Sequence, residues 1–130
     1  MSRQRGFTLI ETTVAVGLLA VIVVAVLSGF SATTLAAVRH QQETTLDRTI
    51  RSDAEYIKSQ AYNPAATANA GYANLSLSGY SFSFQVLHYS KNANPQFAAA
   101  NPDSGLQEVI LTVTGPNAIN EQLDFLKELP

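Results

Sequence analysis

Cysteine is absent from this chain of 130 residues, so neither disulfides nor thiolate metal sites can hold its fold together. Packing and backbone hydrogen bonds must therefore stabilise the fold. The two histidines, His40 and His88, are far apart in the sequence and have no carboxylate or histidine near them at metal-like spacing. We therefore expect no metal site and no cofactor.

Charged residues are missing from positions 12–38, a run of 27 residues bounded by Glu11 and Arg39. A helix needs about 20 apolar residues to cross about 30 Å of hydrocarbon at 1.5 Å per residue. The run is long enough for one membrane-spanning helix, and no later segment is comparably apolar for as long. The sequence thus joins an apolar N-terminal part to a more polar remainder.

The chain also lacks an excess of basic residues. The formal net charge is −2, and removal of Arg3 and Arg5 with an N-terminal leader would leave six basic against ten acidic residues. That balance does not support direct nucleic-acid binding, which relies on neutralising phosphates with Lys and Arg. Nucleophile elbows, Gly-rich phosphate loops and paired-carboxylate motifs are also absent. We expect no catalytic residues and no enzymatic activity.

The N-terminal segment allows three interpretations: an ordinary cleaved signal peptide, a plain signal-anchor helix, or a leader removed before the apolar run. An ordinary signal peptide is cut after an apolar region of about 7–15 residues. The run here is longer, although small residues between Ser28 and Ala32 leave late cleavage open. Arg3 and Arg5 stay cytoplasmic under the positive-inside rule, which sends the C-terminal part outward.

The order of residues at the start of the apolar run separates these interpretations. A short basic leader is followed by Gly6, aromatic Phe7, three largely apolar residues and Glu11. This segment, RGFTLIE, resembles the processing site of type IV prepilins and pseudopilins. The resemblance implies that a membrane-embedded prepilin peptidase cuts between Gly6 and Phe7, and that the new Phe7 amine is N-methylated. Gly6 has no side chain, which suits the tight approach of a cleavage site.

Glu11 is the residue we expect to act in assembly. A charge at the centre of a membrane helix costs about 2.5–3.5 kcal/mol on insertion scales, and such residues usually have a function. A structural role is the alternative, because an acid in the first turn interacts with the helix dipole by about 0.3–1 kcal/mol. The resemblance implies that Glu11 attracts the methylated Phe7 amine of a neighbouring subunit.

Proline is absent between Phe7 and Asn63. Many pilin relatives carry a helix-breaking proline midway along the apolar helix, where this chain has Ser28-Gly29. Serine–glycine pairs are recognised positions for kinks. The sequence leaves open whether the helix bends there.

Beyond Arg39 the apolar residues follow a helical period and form one stripe: Leu46, Ile50, Ala54, Ile57 and Ala61. The pattern predicts an amphipathic helix that ends near Tyr62, because Asn63 precedes Pro64 and is biased away from helical geometry. A second, charged row is expected to face solvent: Asp47, Arg51 and Glu55.

A period of two replaces the helical pattern after Tyr72. One strand is predicted to turn an alternating row toward the helix: Tyr80, Phe82, Phe84 and Val86. An earlier strand from about Tyr72 to Leu77 would reach it through a turn at Ser78-Gly79. A later strand, Gln107 to Thr114, places Val109, Leu111 and Val113 on one face. Glu121 to Leu129 suits a strand or a helix, and we favour a short edge strand.

These elements predict an α+β fold of the type IV pilin kind, in which a long N-terminal helix packs on a three- to four-stranded antiparallel sheet. The expected divisions are a leader (1–6), a transmembrane and filament-core helix (7–38), an amphipathic continuation (39–62), a linker (63–71) and a sheet region (72–130). The resemblance covers residues 1 to about 38 strongly and the remainder only in architecture.

The loop from Ser90 to Gly105 carries oxygen-bearing side chains, and some major pseudopilins bind calcium in a loop of the exported domain. The relevant residues are Asn92, Asn94, Asn101 and Asp103. One carboxylate without EF-hand spacing favours an ordinary surface loop over a calcium site.

The resemblance implies a structural subunit, a minor pilin or minor pseudopilin of a type IV pilus or type II secretion pseudopilus. Expected partners are prepilin peptidase, other pilin or pseudopilin subunits, the inner-membrane assembly platform with its ATPase, and membrane lipid. The expected location is the cytoplasmic (inner) membrane, with a single pass and an external C-terminal domain, and then the filament. A competence pilin for DNA uptake and an unprocessed membrane-tethered binding domain are the alternatives.

Overall fold

The computed structural model describes residues 8–130, so Gly6 and Phe7 lie outside the described residues. A helix, α1 (Leu9–Ser59), is followed by four strands: β1 (Ser81–Tyr89), β2 (Phe97–Ala98), β3 (Leu106–Thr114) and β4 (Asn120–Glu128). A short 3-10 turn, Pro116–Ala118, joins β3 to β4. The chain divides into two compact units, one that ends at His40 and one that begins at Gln41.

Among the described residues of the first unit, all but Thr8 belong to the N-terminal part of α1. Its most apolar window of 18 residues has a mean hydropathy of 2.6, and none of that window is buried within the protein. The helix is therefore long and apolar enough to cross a membrane. It is unbroken at Ser28-Gly29, where the Ser28 hydroxyl donates a hydrogen bond to the Val24 carbonyl over 2.9 Å.

In the second unit, the predicted apolar stripe packs on the sheet. Leu46, Ile50, Ala54 and Ile57 are all buried, which confirms the helical period. Ala61 is exposed because α1 ends at Ser59, a few residues earlier than predicted. The amide of Gln60 donates to the Ile57 carbonyl over 3.2 Å, a tightened last turn that ends the helix before Asn63-Pro64.

The sheet is antiparallel throughout and has the order β2-β1-β3-β4. Its register places Phe84 opposite Leu111, and Val109 opposite Phe125. The inward rows of β1, β3 and β4 join the helix stripe in one core, with Tyr80 and Phe82 partly buried at its edge. The predicted α+β architecture and the inward faces of β1 and β3 are confirmed.

The predicted strand from Tyr72 to Leu77 is wrong, since no strand forms there. The backbone of this segment bonds to side chains of the helix region instead. The Ala73 amide donates to Gln60 Oε1 over 2.8 Å, and the Leu75 amide donates to Asp53 Oδ1 over 2.6 Å. The fourth strand of the sheet is therefore not this segment but β2, which pairs with β1 at His88 and Tyr89.

Asn69 covers the edge of β1 that the predicted strand would have joined. Its amide donates to the Phe84 carbonyl over 2.9 Å, and its side-chain Oδ1 accepts from the Phe84 amide over 2.8 Å. Asn69 has a φ of 55°, a left-handed conformation that asparagine tolerates better than most residues. Asn69 alone therefore supplies the two backbone hydrogen-bond partners that a neighbouring strand would give Phe84.

The ambiguous C-terminal segment is a strand. β4 pairs with β3 along its whole length, from Asn120 opposite Thr114 to Glu128 opposite Leu106. Phe125 and Lys127 are buried on the inner face, whereas Leu126 remains exposed on the outer face. Strand periodicity therefore prevails over the helical alternative, and β4 lies at the edge of the sheet as predicted, one residue earlier than the predicted segment.

Candidate assembly site

Glu11 lies in the first turn of α1 and is exposed. Its Oε2 atom accepts hydrogen bonds from the Thr8 amide over 3.1 Å and from the Thr8 hydroxyl over 3.2 Å. In return, the Glu11 amide donates to Thr8 Oγ1 over 3.4 Å. This reciprocal arrangement is a capping box, which satisfies amide groups that the helix itself leaves without partners.

The capping box gives Glu11 a local structural role, the alternative that its position in the first turn indicated. The sequence contains the signal for it, because Thr8 stands three residues before Glu11 at the start of an apolar run. The contact also fixes where the carboxylate lies. It is held against the amide of Thr8, the residue that directly follows Phe7 in the chain.

The surface beyond Glu11 is apolar and uncovered. Leu9 is 88% exposed and Phe30 is 67% exposed, and large aliphatic side chains between them are also exposed. Soluble monomers rarely expose an apolar surface of this extent. A shallow groove on the helix is lined by Leu27, Phe30, Thr34 and Val38, among others. Lipid or other helices are the surroundings that suit such a surface.

Serine and threonine hydroxyls in this part of α1 bond back to the helix backbone. Thr13 donates to the Leu9 carbonyl over 2.8 Å, and Thr34 donates to the Phe30 carbonyl over 2.9 Å. These hydroxyls are therefore satisfied within the helix. They do not interrupt the apolar character of the surface.

The N-terminal part of the chain matches a known protein family. Residues 1–27 match the family model described as the prokaryotic N-terminal methylation motif. The chain carries the methylation motif of the type IV pilin and pseudopilin family. The match includes Gly6, Phe7, Thr8 and Glu11, and it ends within the apolar part of α1. No curated protein and no solved structure matched the chain.

The methylation motif and the fold lie largely in different parts of the chain. The methylation motif implies processing by a prepilin peptidase. The structure adds a long N-terminal helix packed on a four-stranded antiparallel sheet, the pilin-like α+β arrangement that the sequence predicted. The N-terminal apolar helix is consistent with membrane anchoring of a prepilin.

Asp103 is the carboxylate of the loop considered for calcium, and it interacts with other side chains of the chain. Asp103 accepts a hydrogen bond from the Tyr62 hydroxyl, and its Oδ1 lies 3.3 Å from His88 Nδ1. The Tyr62 hydroxyl, followed by His88, lowers the pKa of Asp103. Among residues 8–130, no group of three or more His, Asp or Glu side chains is placed to hold a metal ion.

Sequence reasoning missed a buried polar network where the helix meets the sheet. The Tyr72 hydroxyl donates to Gln107 Oε1 over 2.8 Å, and Gln107 Nε2 donates to the Asn63 carbonyl over 2.8 Å. Lys127 is 7% exposed, and its ammonium group contacts carbonyls at the end of α1. The signal for Gln107 and Lys127 was their position in the inward rows of β3 and β4.

Proposed function

We propose that this chain is a non-enzymatic structural subunit, a minor pilin or minor pseudopilin, assembled through its apolar helix into a type IV pilus or type II secretion pseudopilus. A methylation motif joined directly to an uncovered apolar helix is the observation that supports this function. Cleavage occurs between Gly6 and Phe7, and the new Phe7 amine is methylated.

Before assembly, the helix anchors the subunit in the cytoplasmic membrane. Arg3 and Arg5 precede the apolar run and keep the N-terminus on the cytoplasmic side, so that residues after the helix lie outside. An assembly platform and its ATPase then transfer the helix from lipid to a filament, in which helices of neighbouring subunits replace the lipid.

Glu11 has two successive roles in this proposal. In the separate subunit, its carboxylate accepts from Thr8 and closes the first turn of the helix. In the filament, the same carboxylate faces the methylated Phe7 amine of a neighbour, because an ion pair is strong where water is excluded. A carboxylate has about four lone-pair sites, so it can keep its bond to Thr8 while it accepts from the amine.

The test is the mass of the mature protein. The full chain is expressed in cells that contain prepilin peptidase, and the membrane and sheared-filament fractions are analysed by intact mass and N-terminal sequencing. A chain that begins at methylated Phe7 and occurs in the filament fraction is the expected result. An intact Met1 terminus in these cells contradicts the proposal and favours an unprocessed, membrane-tethered domain.

A further inference from the structure

The outer face of the sheet is the face turned away from α1, and it differs in polarity between its two ends. Successive residues of a strand point to opposite faces, so every second residue of β1, β3 and β4 lies on it. Where β1 begins, these residues are small or polar: Ser81, Ser83, Thr112, Thr114, Asn120 and Gln122. Where β1 ends, most of them are apolar, and with one residue of β2 they form the outer apolar patch: Leu87, Tyr89, Phe97, Leu106, Ile110 and Leu126.

Glu108 lies in the middle of the outer apolar patch. It is paired with Leu87 of β1 on one side and with Leu126 of β4 on the other. Leu106 and Ile110 stand two residues away from it along β3, on the same face. Four aliphatic residues therefore surround this half-buried glutamate, and one of them, Leu126, is 58% exposed.

All the charged residues that the described strands place on the outer face are acidic: Glu108, Asp124 and Glu128. Asp124 lies opposite Ile110, and Glu128 lies opposite Leu106, so both adjoin the patch. Asp124 accepts a hydrogen bond from Gln122 Nε2 over 3.1 Å. Within residues 8–130, none of the three carboxylates forms an ion pair.

The basic residues closest to the patch in the sequence do not lie on it. Lys127 of β4 faces inward and donates to carbonyls at the end of α1, and Lys91 lies in the loop beyond β1. The outer face therefore combines exposed apolar surface with negative charge. Nucleic acid and anionic lipid carry charge of the same sign as this face.

A Lys or Arg side chain from another protein suits this surface. Its aliphatic stem can pack on leucines while its charged end reaches a carboxylate such as Glu108. A second copy docked through the same face would instead bring carboxylates against carboxylates, and like charges in an interface are strongly unfavourable.

We propose that the outer apolar patch binds a basic, partly apolar segment of a different protein, with a Lys or Arg of that segment against Glu108 and an apolar side chain of it against Leu126. Charge complementarity and the exposed leucine carry this inference. It goes beyond the proposed function, because the amphipathic part of α1 packs on the inner face of the sheet and the patch lies on the opposite face. The sheet can therefore hold this partner without releasing α1.

Photo-cross-linking of the full chain in its native cells tests the contact. Leu126 is replaced by benzoylphenylalanine, which keeps the position apolar, and the membrane and filament fractions are irradiated. We expect a covalent adduct with a different protein, attached within a few residues of a Lys or Arg when mapped by mass spectrometry. The matched control carries benzoylphenylalanine at Asn120, an exposed position on the same face of β4 about 20 Å away at 3.4 Å per residue, and should give little of this adduct.

Charge reversal tests the role given to the carboxylates. In the Leu126 cross-linking background, E108K is expected to reduce the adduct about ten-fold or more, because two positive groups then meet. E128K, at an exposed position beside the patch, should reduce it about three-fold and is decisive if E108K does not accumulate. E55K is the matched control, since it makes the same change of net charge at an exposed position of α1, and it should leave the adduct unchanged.

A compensating change tests the pairing itself. Once the cross-linked segment is mapped, its Lys or Arg is replaced by Glu in the partner. Combined with E108K, this replacement restores a pair of opposite charges and should recover at least about half of the adduct.

The outcomes separate this inference from the proposed function. A processed chain in the filament fraction that gives no adduct from position 126 overturns the inference and leaves the proposed function standing. An unprocessed chain that gives the charge-dependent adduct removes the proposed function and leaves the inference standing. Adducts with lipid alone or with other copies of this chain overturn the inference, as does an adduct that neither E108K nor E128K reduces.

Discussion

The ammonium group of Lys127 donates a hydrogen bond to the carbonyl oxygen of Ile57 over 3.0 Å, and so connects the last strand to the end of the helix. The same group donates to the carbonyls of Lys58 over 3.0 Å and Gln60 over 2.6 Å. These carbonyls belong to the helix C-terminus, where several acceptors lack intrahelical partners and a positive charge is favourable. Lys127 is thus a C-terminal cap supplied by the sheet.

Replacement of Lys127 by methionine keeps the length and apolar stem of the side chain but removes its donors. We expect the substitution to lower the free energy of unfolding by about 3 kcal/mol, because buried carbonyls lose a charged donor. Chemical denaturation of the detergent-solubilised full chain measures the change. Lys91→Met, at an exposed loop position, should stay within about 0.5 kcal/mol. Equal effects of the two substitutions would show that the cap contributes nothing.

Gly71 and Gly79 form a matched pair for testing a close backbone approach. Both have a positive φ, 96° and 84°, so alanine is strained at either position. A Cβ at Gly71 would lie 2.7 Å from the Ala66 Cα, whereas a Cβ at Gly79 would meet nothing within 4 Å.

We expect Gly79→Ala to cost about 1 kcal/mol, the penalty of the left-handed conformation alone. Gly71→Ala should cost clearly more, because Ala66 is fully buried in the core and its backbone must shift. Denaturation midpoints of the two variants provide the comparison. A Gly71→Ala variant no less stable than Gly79→Ala would contradict the close approach of the 63–71 segment to itself.

Asp53 is fully buried on α1, where its Oδ1 accepts from the Leu75 amide and its Oδ2 has no hydrogen-bond partner among residues 8–130. Burial raises the pKa of Asp53, and the Leu75 amide partly opposes that shift. A carboxyl whose pKa is higher in the folded state binds its proton more tightly there. It therefore destabilises the fold increasingly as pH rises from the unfolded pKa, near 3.8, through the raised folded value.

Asp53→Asn retains an oxygen acceptor for Leu75 but cannot ionise. The free energy of unfolding of the variant, relative to that of the natural chain, should increase with pH between the unfolded and the folded pKa of Asp53. At higher pH the difference should be constant. Denaturation at a series of pH values from acid to neutral gives this difference. A difference that is flat or falls with pH would contradict a raised pKa for Asp53.

Two substitutions separate the two roles proposed for Glu11. Glu11→Gln retains an acceptor for the capping box but removes the charge, whereas Thr8→Val removes the two hydroxyl hydrogen bonds of the capping box and keeps the charge. If charge pairing with a neighbouring Phe7 amine drives assembly, Glu11→Gln should reduce incorporation into filaments about ten-fold or more, and Thr8→Val should reduce it less.

Incorporation is measured as the ratio of filament to membrane protein on immunoblots, and leader cleavage is measured by mass in the same cells. Cleavage and membrane insertion should be unchanged in both variants. Normal assembly of Glu11→Gln would limit Glu11 to its capping role.

Much of the fold was predictable because it follows from local periodicity. The spacing of Leu46, Ile50 and Ile57 predicted the buried face of the helix, and alternation predicted the inward rows of β1 and β3. Periodicity failed at Tyr72 to Leu77, where a strand-like sequence bonds to Gln60 and Asp53. Those two partners come from the end of the helix, and no local pattern indicates that they will be within reach.

At the candidate site, the sequence alone determined the methylation motif, the apolar span and the first turn, because these depend on residues within one continuous segment. Only the tertiary structure decided which strand completes the sheet and how the end of α1 is capped by Lys127. These features join residues far apart in the chain, and their partners are set by packing of the helix on the sheet.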